Sequence, residues 1–187
     1  MSKPEPLGLG WPQSGELVSG PAPASAGDVD VVVEIPRGTR NKYEYDEGVG
    51  RVRLDRQLPA SVTYPADYGY IPGTLAPDGD PLDALVLLDE PSFPGCIARV
   101  VPLGMLQVVD QGRSDPKVVC VLVERWERQI VHELADLPAT QLEEIQHFFN
   151  VYKDLEPNSD IEVGQFVGAG EAADEIVRAR LRWSERG

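Results

Sequence analysis

The chain has 187 residues, 42% of them hydrophobic, and a formal net charge of −14 at pH 7. That length suits one globular core. The acidic balance excludes wrapping nucleic acid or lying on an anionic membrane, because both need clustered Lys and Arg.

Residues 1–27, MSKPEPLGLGWPQSGELVSGPAPASAG, are rich in Pro, Gly, Ser and Ala and lack periodicity, which predicts a mobile extension. Their charges are Lys3 against Glu5 and Glu16, so −13 belongs to residues 28–187, the expected single domain. No apolar run approaches the ~20 residues of a membrane span, and no basic start precedes an apolar stretch, so the expected location is the cytoplasm. From Asp28 onward short β-branched runs bounded by Gly, Pro and Asp read as strands: 29–35, 42–47, 51–57, 84–88, 96–109 and 117–124. Helical periodicity replaces them in two places. Leu142, Ile145, Phe149 and Tyr152 recur at three- and four-residue steps in 138–153, as do Ala172, Ile176, Ala179 and Trp183 in 171–185. With 161–168 as a further strand, the predicted fold is mainly β with α, a closed barrel carrying two flanking helices. Cys96 and Cys120 sit in apolar runs and read as buried reduced thiols.

The polar residues along this plan gather at strand ends and turns, where sites are usually built. Glu34 interrupts the first strand, Lys42 and Glu44 share one face of the second, and Arg56 ends the third. Tyr64, Tyr68 and Tyr70 lie among prolines and glycines, Asp110 and Asp115 bracket a turn before Lys117, and Tyr152 and Lys153 end the first long helix. Each has a plainer account. Glu34 alone suits an edge-strand charge, Lys42 with Glu44 an exposed pair, Asp110 and Asp115 turn formers, and the tyrosines core filling. His132 and His147 show no partner pattern.

The segment PDGDPLDALVLL (77–88) resists such an account. It crowds Asp78, Asp80 and Asp83 against a buried strand, and like charges 4 Å apart repel by roughly 4 kcal/mol per pair at an effective dielectric near 20. All-oxygen donors without His or Cys match a hard divalent cation, Mg²⁺ first, and argue against Zn²⁺. An EF-hand does not fit, since Asp83 would stand where Gly is required and Asp89 where Glu belongs. Carboxylates that gather Mg²⁺, together with Lys, Arg and Tyr for phosphate oxygens, define metal-assisted attack of water on a phosphoric anhydride. Two other readings use parts of the pattern: an Mg²⁺-dependent hydrolase of nucleotide anhydrides, and an OB-fold that binds oligonucleotides, which the −13 opposes.

DGDPLDA (78–84) resembles the signature of the family I soluble inorganic pyrophosphatases. EIP (34–36), KYEYD (42–46), DR (55–56), YPADYGYIPGTL (64–75), the Asp110 to Lys117 turn and HFFNVYKDLE (147–156) follow in that family's order, over roughly residues 28–180. The resemblance implies a five-stranded OB-like barrel, Mg²⁺-dependent hydrolysis of pyrophosphate to two phosphates with several ions per site, and commonly a homohexamer. It further implies Asp78, Asp83 and Asp115 as main metal ligands, Asp110 for a metal arriving with substrate, and Glu34 and Glu44 as outer carboxylates. Asp80 matches the residue that orients and deprotonates the attacking water. Lys42, Arg56, Lys117, Tyr152 and Lys153 match phosphate-binding groups, and Tyr68 a phenol that donates to phosphate and to the Asp80 region.

Overall fold

The computed structural model describes residues 27–46, 48–128, 130–157 and 159–186, so the expected extension lies, except for Gly27, outside the described residues. In chain order the elements are β1 (Val29–Ile35), β2 (Asn41–Asp46), β3 (Arg51–Gln57), β4 (Asp67–Tyr70), β5 (Asp83–Leu87), β6 (Ile97–Asp110), β7 (Arg113–Ser114), β8 (Lys117–Leu122), α1 (Val123–Glu127), α2 (Ala139–Val151), β9 (Ile161–Gly168) and α3 (Ala169–Ser184). β1, β4, β5, β8 and β6 are successive neighbours, and β6 pairs back onto β1, so five strands close a ring. This is the OB-like barrel that the sequence predicts. β5 and β8 run parallel, while the other pairs of the ring are antiparallel.

β6 makes closure possible. Its 14 residues pair with β1 at the start, β8 in the middle and β9 at the end, with irregularities at Pro102/Gly104 and Leu106/Val108. Such breaks in the ladder bend a strand around a barrel. Period-two alternation then sends the two faces of each strand into different clusters. Leu85, Leu87, Val119 and Val121 pack with Phe148 and Phe149 of α2, whereas Ala84, Val86, Val118 and Cys120 pack with Ala172, Ile176 and Ala179 of α3. Both faces being apolar explains why 84–88 and 118–122 read as unbroken hydrophobic runs.

Two elements differ from expectation. β4 was hidden inside the Tyr, Gly and Pro cluster at 64–75. Its Gly69 lies so close to β1 that a Cβ would stand 1.9 Å from the Val32 carbonyl oxygen, which leaves no room for the β-branched residues that mark strands. The strand expected over 117–124 ends at Leu122, whose ladder partner is Val100, and the polar run from Val123 turns into α1. Cys120 is buried but Cys96, just before β6, is only half-buried, and both thiols are free. β2 and β3 form their own two-stranded sheet outside the ring. Among the described residues no helix is long and apolar enough to cross a membrane.

Candidate active site

The ring and the β2–β3 hairpin face each other across a cavity of about 530 Å³. Glu34, Lys42, Glu44, Tyr68, Asp78, Asp80, Asp83, Asp110, Asp115, Lys117, Tyr152 and Lys153 all line it, together with Tyr64 and Tyr70. These are residues that the sequence singled out, from elements up to 119 positions apart in the chain, Glu34 to Lys153. Arg56 is the candidate that does not line the cavity. It sits opposite Lys42 in the hairpin, and its guanidinium donates to Glu156 (3.2 and 3.4 Å) and Asp55 (2.6 Å). Tyr43, Tyr45 and Pro81 line the wall without having been predicted. For Tyr43 and Tyr45 the KYEYD motif held the signal, but alternation assigned them to the face opposite Lys42 and Glu44.

Strand pairing explains why the acidic residues meet. β5 and β8 start at the same rim because they run parallel, which brings Asp83 beside Lys117 and Asp115. On β4, Tyr68 and Tyr70 face the same way as Asp83, since Tyr70 pairs with Asp83 and Tyr68 with Leu85. The Tyr68 hydroxyl donates to Asp83, so its carboxylate partner here is Asp83 and not Asp80. Asp78 and Asp80 ride the turn before β5, where Gly79 adopts φ +106°, a conformation that L side chains rarely enter. That turn is closed by the Asp80 N–H donating to the Asp78 carboxylate at 3.1 Å.

Seven carboxylates line the cavity against three ammonium groups, which leaves four negative charges over. Lys117, 2% exposed, donates to Asp83 at 2.5 Å and also to Asp115. Lys153 donates to Asp110 at 2.6 Å, and Lys42 to Glu44 at 2.5 Å. These four contacts are not enough to relax the acidic wall. Burial, aided by Asp83 and Glu44, pushes Glu34 up to about 7 despite the Tyr45 N–H that it accepts. Burial also pushes Asp115 up to about 7, and Asp83 adds to the rise, because one lysine serves both carboxylates. Asp78 is raised by burial and by its neighbours Asp80 and Asp83. Burial opposes charge on Lys117, yet the two aspartates outweigh it and hold the ammonium above its ordinary value. Burial and the surrounding carboxylates keep the Tyr68 and Tyr152 phenols protonated.

Such a wall accepts cations. Its donors are all oxygens, its charge is uncompensated, and Asp110 keeps one buried carboxylate oxygen without a hydrogen-bond partner. No group of three or more His, Cys, Asp or Glu is already drawn into a metal-holding arrangement among the described residues. Lys117 stands between Asp83 and Asp115 instead, and Lys153 occupies one oxygen of Asp110. The residues therefore fit hard divalent cations by donor type and charge. Among the acids, the hydroxyls of Tyr68 and Tyr152 and the ammonium groups of Lys42, Lys117 and Lys153 supply donors for an anion.

Comparison with known proteins points the same way. Residues 31–184 match a family model described as inorganic pyrophosphatase. The chain is 47% identical over 160 residues to an inorganic pyrophosphatase of Streptomyces coelicolor, covering 86% of this chain and 98% of that one. Its structure resembles the inorganic pyrophosphatase of Thermus thermophilus with a TM-score of 0.84 and 39% identity, covering 92% and 98% of the two chains. It also resembles that of Coxiella burnetii with a TM-score of 0.80 and 40% identity, covering 85% and 99%.

Proposed function

The chain belongs to the inorganic pyrophosphatase family and is a hydrolase that splits pyrophosphate into two phosphates, and on that premise we propose how its own residues divide the work. The observation that carries the proposal is the shared cavity, with its excess of carboxylates on the ring side and donors for phosphate around it. Asp78, Asp83 and Asp115 are the principal ligands of Mg²⁺, with several ions per site. Asp110 serves an ion that enters with substrate, and Glu34 and Glu44 act through water. Bound divalent cations supply a water of lowered pKa and offset charge on the departing phosphate.

Asp80 accepts the proton of the attacking water. It stands at the tip of the turn, exposed to the cavity, with its backbone fixed by the Asp78 carboxylate. Lys117 and Lys153 neutralise phosphate oxygens from the ring side and Lys42 from the hairpin. Tyr68 and Tyr152 donate as neutral phenols, which requires the raised pKa values that burial gives them. Arg56 reaches phosphate from the rim, from which Glu156 and Asp55 now hold it. Residues 28–187 act as one domain, in the cytoplasm and as a homohexamer. Neither a nucleic acid nor a membrane is a partner.

The deciding experiment measures phosphate release from pyrophosphate and from ATP over a range of Mg²⁺. Pyrophosphate should be strongly preferred and EDTA should abolish the rate. Comparable release from ATP would favour a nucleotide anhydride hydrolase.

A further inference from the structure

The turn that carries Asp78 and Asp80 is held from behind by arginines that never touch its carboxylates. Arg182 of α3 donates Nε to the Leu75 carbonyl at 2.7 Å, Arg186 donates to the Gly79 carbonyl at 3.3 Å, and Arg113 to the Asp78 carbonyl at 3.3 Å. The Leu75 N–H in turn donates to the Ala179 carbonyl of α3 at 2.9 Å. Arg182 is itself oriented: its Nη2 donates to Glu175 at 2.5 Å. Glu175 is one of the few buried charged residues, 9% exposed, and its second oxygen accepts from Arg178 at 2.9 Å. A guanidinium can serve a carboxylate and a carbonyl at once because its donors form a rigid planar fork. Nothing in the packing of α3 requires this arrangement, since its apolar face is already made by Ala172, Ile176 and Ala179.

We propose that Arg182, held by Glu175, is a positioning residue for the divalent-cation site. It fixes the backbone of the aspartate turn through Leu75 and places positive charge behind the turn, while occupying none of its carboxylate oxygens. The inference rests on the assignment of Asp78 and Asp83 as metal-facing. A repelling pair of carboxylates would otherwise spread apart, and binding a cation would first have to draw them together again. Local pattern carries no signal for this role, because helical periodicity marks only the apolar stripe of α3 and leaves its arginines as ordinary solvated charges.

Two measurements on Arg182→Met and Arg182→Lys test it. The first is the Mg²⁺ concentration giving half-maximal pyrophosphate hydrolysis. The second is the rise in melting temperature that Mg²⁺ produces without substrate. Removal of a group that orients metal ligands costs on the order of tenfold in metal affinity, so Arg182→Met should move the Mg²⁺ midpoint up by about that factor and change the rate at saturating Mg²⁺ far less. The melting rise should need correspondingly more Mg²⁺. Arg182→Lys keeps the charge and secures folding, but one ammonium cannot span both acceptors, so it should show the same shift at smaller size. A Mg²⁺ midpoint within about twofold of the wild type in both variants overturns the proposal, whatever happens to the melting temperature of the metal-free protein. A wild type with no Mg²⁺-induced rise would instead remove the metal assignment on which the proposal stands.

Discussion

The two walls of the cavity are built on different principles. The ring wall, from the Asp78 turn through Asp83, Asp115 and Lys117, lies on strands with both faces packed; Asp115 and Lys117 are buried, Asp78 and Asp83 half-buried, and Lys117 is bonded to both Asp83 and Asp115. The hairpin is a separate two-stranded sheet that presents mostly half-buried β2 side chains to the cavity and pairs them with β3, whose side chains are mostly exposed, including Leu54 at 50% exposed, with Val49 beyond the hairpin's tip at 57%. Charge on the ring wall is therefore fixed in a low-dielectric setting where each group changes its neighbours' protonation, whereas charge on the hairpin is screened by water. The ring wall holds what must not move, and the hairpin holds what must reach.

That contrast can be broken at several points. The largest effect is expected for Asp80→Asn, which keeps the shape of the turn but removes the proton acceptor. Turnover should fall by roughly 10²- to 10⁴-fold with little change in melting temperature, and near wild-type activity would show that another group takes the proton. Next comes Lys117→Met. Removing the buried ammonium leaves Asp83 and Asp115 unpaired, and breaking a buried ion pair costs about 3–5 kcal/mol. Urea unfolding in EDTA should register that loss, and added Mg²⁺ should recover part of it, since a cation can stand where the lysine stood.

Smaller, and specific in sign, is the pH response of the metal-free protein. Glu34 is raised from 4.5 to about 7 and Asp115 from 3.8 to about 7, so both bind protons more tightly in the folded state. Stability from this source is fully present below the ordinary carboxyl values and is lost as pH rises through about 7. For Glu34 the span corresponds to ~3 kcal/mol at most. Urea midpoints in EDTA should fall between about pH 5 and about pH 8, and Glu34→Gln should flatten part of that fall. A flat wild-type curve would mean that the ring wall is wetter than its burial indicates. The smallest effect belongs to the hairpin: Arg53→Gln breaks the exposed contact with Asp46 and should leave the melting midpoint unmoved. A clear drop there would erase the distinction between the walls.

How much of this could be read from the chain depended on what each residue needed. β1, β3 and β9 were legible to the residue because β-branched or alternating runs end there at Gly, Pro or a polar turn. The aspartate cluster was legible because charge so concentrated has few structural uses. Tyr152 and Lys153 came out at the end of α2 as the periodicity placed them, although the helix itself stops at Val151. β4 was not legible, since Gly69 is required by contact with a strand more than thirty residues earlier in the chain. The link from Arg56 to Glu156 and the brace behind the aspartate turn were equally invisible. Each joins residues about a hundred positions apart through side chains that local pattern assigns to solvent.

The parallel neighbours β5 and β8 carry a last implication, for how the molecule is born. Their ends meet at one rim only after the long β6 excursion between them has folded back, and pairings so distant in sequence are slow to form. Asp83 and Lys117 are strangers until that moment, so a chain that has collapsed without closing the ring owns every residue of the site and none of its chemistry. Return of enzymatic rate during refolding is thus a clock for the final strand insertion.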